Sequence, residues 1–365
     1  MSERHGAIFG AEASLDLVKR FWISDPARDL PAVVDEAAHA SRGRCERLSI
    51  GTTVAGRPIV GARVGRGPTR LVVIAGVHGH EPYNAFGMLL FLSVLLFGAG
   101  PDGEDLSAWA GDLLARQSIY LLPLVNADAA ARFARRVPNC WLRARYGDGD
   151  HDEVSGCINE PLRTYGLVRG SPGLNRLTAA QVHDWTVTRG QELGWLFNDE
   201  GVDIWEDWQR FDAPETRALR DFLDAVEPTC VFELHNHEKP SNMFVPLPSS
   251  RGPAARLQLR HGEELMTRLR AAGVPCTNHS VRTYAFKEAP FQQLPDVVQQ
   301  RHRCLVLFGE ASMGFVTERL RAQMRGDPLA CRDADAALPT QEEIIRTVFV
   351  WLRALADLGS QGRYA

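Results

Sequence analysis

The stretch Leu71-Val72-Val73-Ile74-Ala75-Gly76-Val77-His78-Gly79-His80-Glu81-Pro82 decides how the rest of the chain is read. Leu71 to Val77 is a continuous apolar run, as expected of a strand covered on both faces. It ends in a polar knot of His78, Gly79, His80 and Glu81. Pro82 stands where a helix can begin, because its missing N–H costs nothing there. Tyr83 to Phe97 carries no charged side chain and predicts a fully buried helix. A buried strand, a polar turn and a buried helix make one unit of an α/β sheet.

Further units lie on either side. Arg57 to Val64 reads as a strand joined to the first by Gly65-Arg66-Gly67-Pro68. Ile119 to Val125, Thr229 to Leu234 and Cys304 to Phe308 are further short apolar runs. Asp212 with Glu215 reads as a capping box, with Pro214 in the first turn of a helix. That helix carries Leu219, Phe222, Leu223 and Val226 at helical spacing, and Pro228 ends it. Arg256 to Ala272 is amphipathic, and Thr340 with Glu343 caps a last helix, Gln341 to Leu358. The alternation predicts an α/β fold, a single domain over 1–365 with a mixed, largely parallel central sheet flanked by helices. Residues 139–199 break the pattern, being rich in Arg, Asp and Gly with few periodic runs. They are too many for an ordinary connection, so an insertion forming a lid or pocket wall is expected.

Composition narrows the partners. The 365 residues are 45% hydrophobic and 24% charged, with a net charge of -4. That balance lacks the basic field that nucleic acid requires. The most apolar run, Met88 to Phe97, is too short to cross a bilayer. Seven scattered cysteines form no ribbon or redox motif, and Met1 to Asp16 shows no secretory pattern. The expectation is a cytoplasmic protein acting on a small molecule or short peptide, with no nucleic-acid or membrane partner. Its oligomeric state is left open.

Polar residues interrupt the apolar strands in a consistent place. His78 and Glu81 follow the first run, Glu233-Leu234-His235-Asn236-His237 lies at the end of another, and Gly309-Glu310 follows a third. The carboxyl edge of an open α/β sheet is where ligands bind. Two histidines and a glutamate, with a fourth position left for water, are a catalytic zinc set. Glu310 could then move a proton between water and a leaving group. A lone His-x-x-Glu recurs by chance, and a lone Glu can cap a helix. The shared position after buried strands is what joins them.

From about Leu48 to Met313 these residues resemble the zinc carboxypeptidase family. Ile50-Gly51-Thr52 and Gly56-Arg57-Pro58-Ile59 look like its lead-in strand, and Ala75 to Pro82 is similar to its first zinc motif. Val125-Asn126-Ala127-Asp128 stands in the place of its Asn-Pro-Asp-Gly turn, with the Pro and the last Gly lost. Gly201-Val202-Asp203 and Pro214-Glu215-Thr216-Arg217-Ala218-Leu219 flank its substrate-carboxylate motif. The resemblance implies one Zn2+ per chain on His78, Glu81 and His235, with Glu310 as general base in amide hydrolysis. Arg136 or Arg143 would stabilise the oxyanion. His80 and His237 would stand beside the ligands, and Glu233 would orient His235 or cap the strand end.

One departure bears on specificity. After Gly201-Val202-Asp203 the family has Asn-Arg, whose arginine grips the substrate's terminal carboxylate. This chain has Trp205 and Glu206 there, a reversal of charge. The expectation is therefore an amidohydrolase or deacylase for a specialised small substrate, with Trp205, Glu206, Tyr284 and Lys287 as candidate contacts. The alternatives are a true carboxypeptidase with a relocated arginine (Arg210 or one in the insertion) and a non-catalytic binding protein.

Overall fold

Among the described residues, seven strands build one sheet in the order β1-β2-β4-β3-β5-β7-β6. They are β1 (Cys45–Thr52), β2 (Pro58–Val64), β3 (Thr69–Ala75), β4 (Gln117–Leu122), β5 (Cys230–His237), β6 (Met243–Val245) and β7 (Leu305–Ser312). The computed structural model describes residues 25–81, 83–136, 161, 164–165, 176–237, 242–245, 252–274, 293–312 and 341–364. The centre is parallel, with β4, β3, β5 and β7 side by side. β1 and β2 at one edge and β6 at the other pair antiparallel. This is the mixed, largely parallel sheet that the alternating pattern predicts.

Side chains alternate across a strand, so each strand feeds two cores. Leu71, Val73 and Ala75 of β3 join Cys230, Phe232 and Leu234 of β5 on one face. There they meet α1 (Pro26–Ala40), α2 (Tyr83–Phe97), α3 (Ser107–Arg116) and α9 (Gln341–Ser360). α2 has fourteen buried residues and no charge, as its composition predicts. The other face carries Val72, Ile74, Val231, Val306 and Phe308. They pack against Leu219 and Leu223 of α6 (Pro214–Val226) and Leu294 and Val298 of α8 (Leu294–His302). α4 (Ala127–Arg136), α5 (Ala179–His183) and α7 (Gly252–Ala271) complete the described helices.

Three expectations are corrected. Asp212 and Glu215 do not make a capping box: the N-cap of α6 is Ala213, without a side-chain cap. Asp212 pairs with Arg176 instead, and Glu215 turns inward to accept from Val54 N (3.0 Å) and Asn198 Nδ2 (3.0 Å). A carboxylate that satisfies two donors from distant segments outweighs a local cap. β5 and β7 run on beyond their apolar runs, so His235 and Glu310 lie within strands rather than after them. Ladder bonds to the neighbouring strand carry the backbone through polar residues that hydropathy alone would exclude. Within the expected insertion, 176–199 is not featureless: it holds α5 and a small core of Leu177, Trp185 and Leu193.

Candidate metal centre

The centre begins where β3 stops. Gly76 has φ +63, a conformation that glycine adopts without strain and that ends the strand. Asn126, at the start of α4, fastens the departing chain: its N–H donates to Gly76 O (2.8 Å) and its side-chain amide to Val77 O (3.1 Å). At Gly79 a Cβ would come within 2.3 Å of the Ala129 backbone, so only glycine lets the turn lie on α4. Gly79 N–H donates to Trp195 O (2.9 Å), and Glu81 N–H donates back to His78 O (3.3 Å). That closed turn puts His78 and Glu81 on one side.

The third member comes from β5. Glu233, His235 and His237 share a strand face with Val231, and Glu310 of β7 is the register partner of His235. His78, Glu81 and His235 are at most 3% exposed. Their donor atoms lie within 4.8 Å of one another. His78 Nδ1 is 2.7 Å from Glu81 Oε1, and His235 Nδ1 is 3.0 Å from Glu81 Oε2. Yet Glu81 Oε2 makes no hydrogen bond. His78 and Glu81 Oε1 are hydrogen-bonded, but His235 and Glu81 Oε2 converge without a hydrogen bond between them, which fits a metal ion at their common point.

The far ring nitrogens support the same reading. His235 Nε2 is 3.1 Å from Glu233 Oε1, and His78 Nε2 is 3.6 Å from Asp203 Oδ1. Histidines that ligate metals are typically oriented by a carboxylate; the Glu233 contact is a hydrogen bond, whereas Asp203 stands at ion-pair distance only. Glu233 therefore orients His235. Asp203 was not among the candidate site residues, although Gly201-Val202-Asp203 is one of the family-like motifs. The signal available was a carboxylate in a motif next to the ligands.

Each charge in this cage shifts its neighbours. Burial pushes the His78 imidazolium down, but Glu81 and Asp203 more than reverse it and raise the group to about 9. Burial likewise opposes charge on His235, and Glu81 and Glu233 raise it well above its ordinary value. Burial disfavours the Glu81 carboxylate too, but the two imidazoles hold it well below the usual range. The cage is thus built to hold positive charge, which a dication supplies on displacing the protons.

Around it, Trp205 lies with its ring centroid 5.9 Å from His78, 5.4 Å from His235 and 5.8 Å from Phe308. Its indole N–H is buried without a hydrogen-bond partner. Asp203 accepts from Trp205 N (3.0 Å), which fixes this turn beside the cage. Glu206 follows and is half-buried. His80 is buried, its ring 5.9 Å from that of His78. Trp195, 6.3 Å from His80 and 4.7 Å from Phe133, backs the turn from the insertion side. Glu310 is half-buried, and His237 is buried at the end of β5. The backbone of Arg136 closes α4, but its side chain lies outside the described residues, as do Arg143, Tyr284 and Lys287. Arg210 is exposed at the end of the turn after Glu206.

The remaining motif residues brace this arrangement. Asp128, 1% exposed, accepts from Thr53 Oγ1 (2.6 Å), Ala55 N (3.0 Å) and Arg57 Nη1 (2.7 Å). With Glu215 it clamps the β1–β2 turn onto α4 and α6. Arg132, 5% exposed, binds Asp199 and the carbonyl of Phe197, tying α4 to the segment that carries Trp195.

A buried His-Glu-His cluster, formed by the turn after a central parallel strand and by the strand beside it, defines a metallohydrolase of the carboxypeptidase class. Residues 31–256 match the family model for zinc carboxypeptidase, and the chain belongs to that family. No curated protein sequence matches it. Solved structures share the fold at low identity. A metallo-carboxypeptidase from Burkholderia cenocepacia is 16% identical, with TM-score 0.58 over 92% of this chain and 69% of that one. One from Pseudomonas aeruginosa, in complex with (2-guanidinoethylmercapto)succinic acid, is 18% identical, with TM-score 0.55 over 92% and 69%. The carboxypeptidase A from Helicoverpa armigera is 12% identical, with TM-score 0.56 over 96% and 80%.

Proposed function

We propose that the protein is a zinc-dependent hydrolase that cleaves an amide bond, peptide-like or N-acyl, in a specialised small substrate rather than trimming peptides generally. The observation that carries this reading is the turn at Trp205 and Glu206. Trp205 packs on both histidines of the cage, and the next residue is an acid where the family has its carboxylate-gripping arginine. A carboxylate there repels a substrate carboxylate and suits an amine, guanidine or hydroxyl.

When bound to His78, Glu81 and His235, zinc supplies Lewis acidity and lowers the pKa of water at its open position. Glu310, in register with His235, takes a proton from the attacking water and returns it to the leaving nitrogen. Asp203 and Glu233 keep the imidazoles oriented. Arg136 or Arg143 holds the developing oxyanion. Of the insertion, the described residues 176–199 include Trp195, which reaches the His78 to Glu81 turn and supports a role as pocket wall. Most of 139–175 lies outside the described residues.

A second reading is a true carboxypeptidase with a relocated arginine. Arg176 favours it, since its backbone bridges Val202 beside Asp203, although its guanidinium pairs with Asp212. Parallel assays on N-acyl dipeptides and their C-terminal amides distinguish the two. Comparable turnover, or preference for the amide or a basic end group, supports the first reading. A strict need for the free carboxylate establishes the second.

A further inference from the structure

The cage and Glu310 share one level of a strand face, and an indole closes the next level inward. Along the parallel pair β5 and β7, Phe308 stands beside Glu233 and Glu310 beside His235. Alternation puts Phe308 and Glu310 on the same face, two residues and about 7 Å apart. Trp205 lies at the level of Phe308: the two rings stack, with centroids 5.8 Å apart and planes 23° from parallel. From there the indole reaches His235 at 5.4 Å and His78, edge-on, at 5.9 Å. It therefore sits on the inward side of the cage, toward the buried part of β7.

The ring is held in place from several directions. The Trp205 N–H donates to Asp203 Oδ1 (3.0 Å), and its carbonyl accepts from Leu294 N–H (3.1 Å) at the start of α8. The apolar cluster it belongs to continues through Ile204, Trp208, Leu294 and Val298, all at most 2% exposed. Trp205 itself is 8% exposed. With its backbone tied at both ends and three rings against it, the indole does not swing aside without opening a close-packed core.

We propose that Trp205 is the floor of the substrate site and sets its specificity by size. A carbonyl held at the cage within reach of Glu310 meets the indole within one strand level. The group it carries on that side is therefore small, a hydrogen, methyl or hydroxymethyl rather than a branched or aromatic substituent. This rests on the reading of the centre as a zinc amide hydrolase and says which amides fit. A misfit of even one methylene in an apolar pocket is worth about tenfold or more.

The probes are acetohydroxamate and benzohydroxamate, which carry one metal-binding group with a methyl or a phenyl beside it. Each is titrated by calorimetry into the zinc-loaded full chain of the parent, Trp205→Leu and Trp205→Ala, with zinc content checked by metal analysis. Removing the indole leaves a void on the order of 150 Å³, a size that accepts benzene. The parent is expected to bind acetohydroxamate at least tenfold more tightly than benzohydroxamate. That preference should fall at least tenfold in Trp205→Ala, with Trp205→Leu between. Equal binding of the two probes by the parent, or an unchanged preference in zinc-loaded variants, would overturn the floor while leaving the hydrolase reading intact. Loss of zinc from both variants would make Trp205 a packing wall of the cage and overturn it as well. If neither probe bound the zinc-loaded parent, the hydrolase reading would fall and this proposal with it.

Discussion

Glu233 offers the sharpest test of how the metal centre is organised. It is fully buried, and its Oε1 lies 3.1 Å from His235 Nε2. Two variants separate its charge from its role as an acceptor. Glu233→Gln keeps the volume and can still accept the imidazole N–H through its amide oxygen, so orientation survives and only the charge is lost. Glu233→Leu removes the acceptor and leaves a buried N–H unsatisfied, which costs about 1–3 kcal/mol. Loss of an outer carboxylate typically weakens metal binding about 10–100-fold, equivalent to about 1.4–2.7 kcal/mol at 1.36 kcal/mol per decade. Glu233→Gln is expected near the lower end and Glu233→Leu near the upper. Competition with a chromogenic zinc chelator at fixed pH reads both. Equal, parent-like affinity in the two variants would show that Glu233 only packs the strand end, and the orientation argument would fall.

Glu310→Gln should abolish turnover with a full complement of zinc, measured by metal analysis beside the amide assay; unchanged activity would remove it as general base. Gly79→Ala drives a methyl into the Ala129 backbone at 2.3 Å. Overpacking of this kind costs about 1–3 kcal/mol, and a lowered thermal midpoint with weaker zinc retention is expected. Asp128→Ala strips the β1–β2 turn of three bonds to one buried carboxylate. A loss of about 3 kcal/mol in denaturant unfolding is expected, while the zinc-to-protein ratio stays at parent level. In metal-free protein, His78 is raised from an ordinary 6.5 to about 9. A raised pKa contributes stability that is complete below about 6.5 and is lost as pH rises through about 9. Urea unfolding of chelator-treated protein at pH 6 and pH 10 should show this loss, and His78→Gln should reduce it.

Much of the fold was legible because local rules and global structure agree. Leu71 to Val77 and Tyr83 to Phe97 are apolar on every side, and only burial on all sides accommodates such runs. Layers packed on either side of the sheet cover both faces of β3, and α2 is buried from Tyr83 to Leu96. His78 and Glu81 were readable from a three-residue offset within one turn. Less legible were elements whose polar residues serve distant partners. Glu215 looked like half of a cap and is a bridge to Val54 and Asn198. β5 and β7 looked shorter than they are, because mutual pairing carries them through His235 and Glu310.

The sequence by itself determined the class of protein. The buried runs, the donor types and their order along the chain can be satisfied by few α/β arrangements, and the family's motifs recur at the matching positions. Only the tertiary structure decided what those motifs do to one another. Parallel pairing sets Glu310 beside His235, strand alternation turns Glu233 toward the same imidazole, and a distant turn brings Asp203 to His78 and Trp205 against both histidines. Apart from Glu233 and His235, which are two positions apart, these are contacts between residues 30 to 127 positions apart. Spacing along a chain fixes which side chains share a turn or a strand face, whereas packing fixes which separate elements meet.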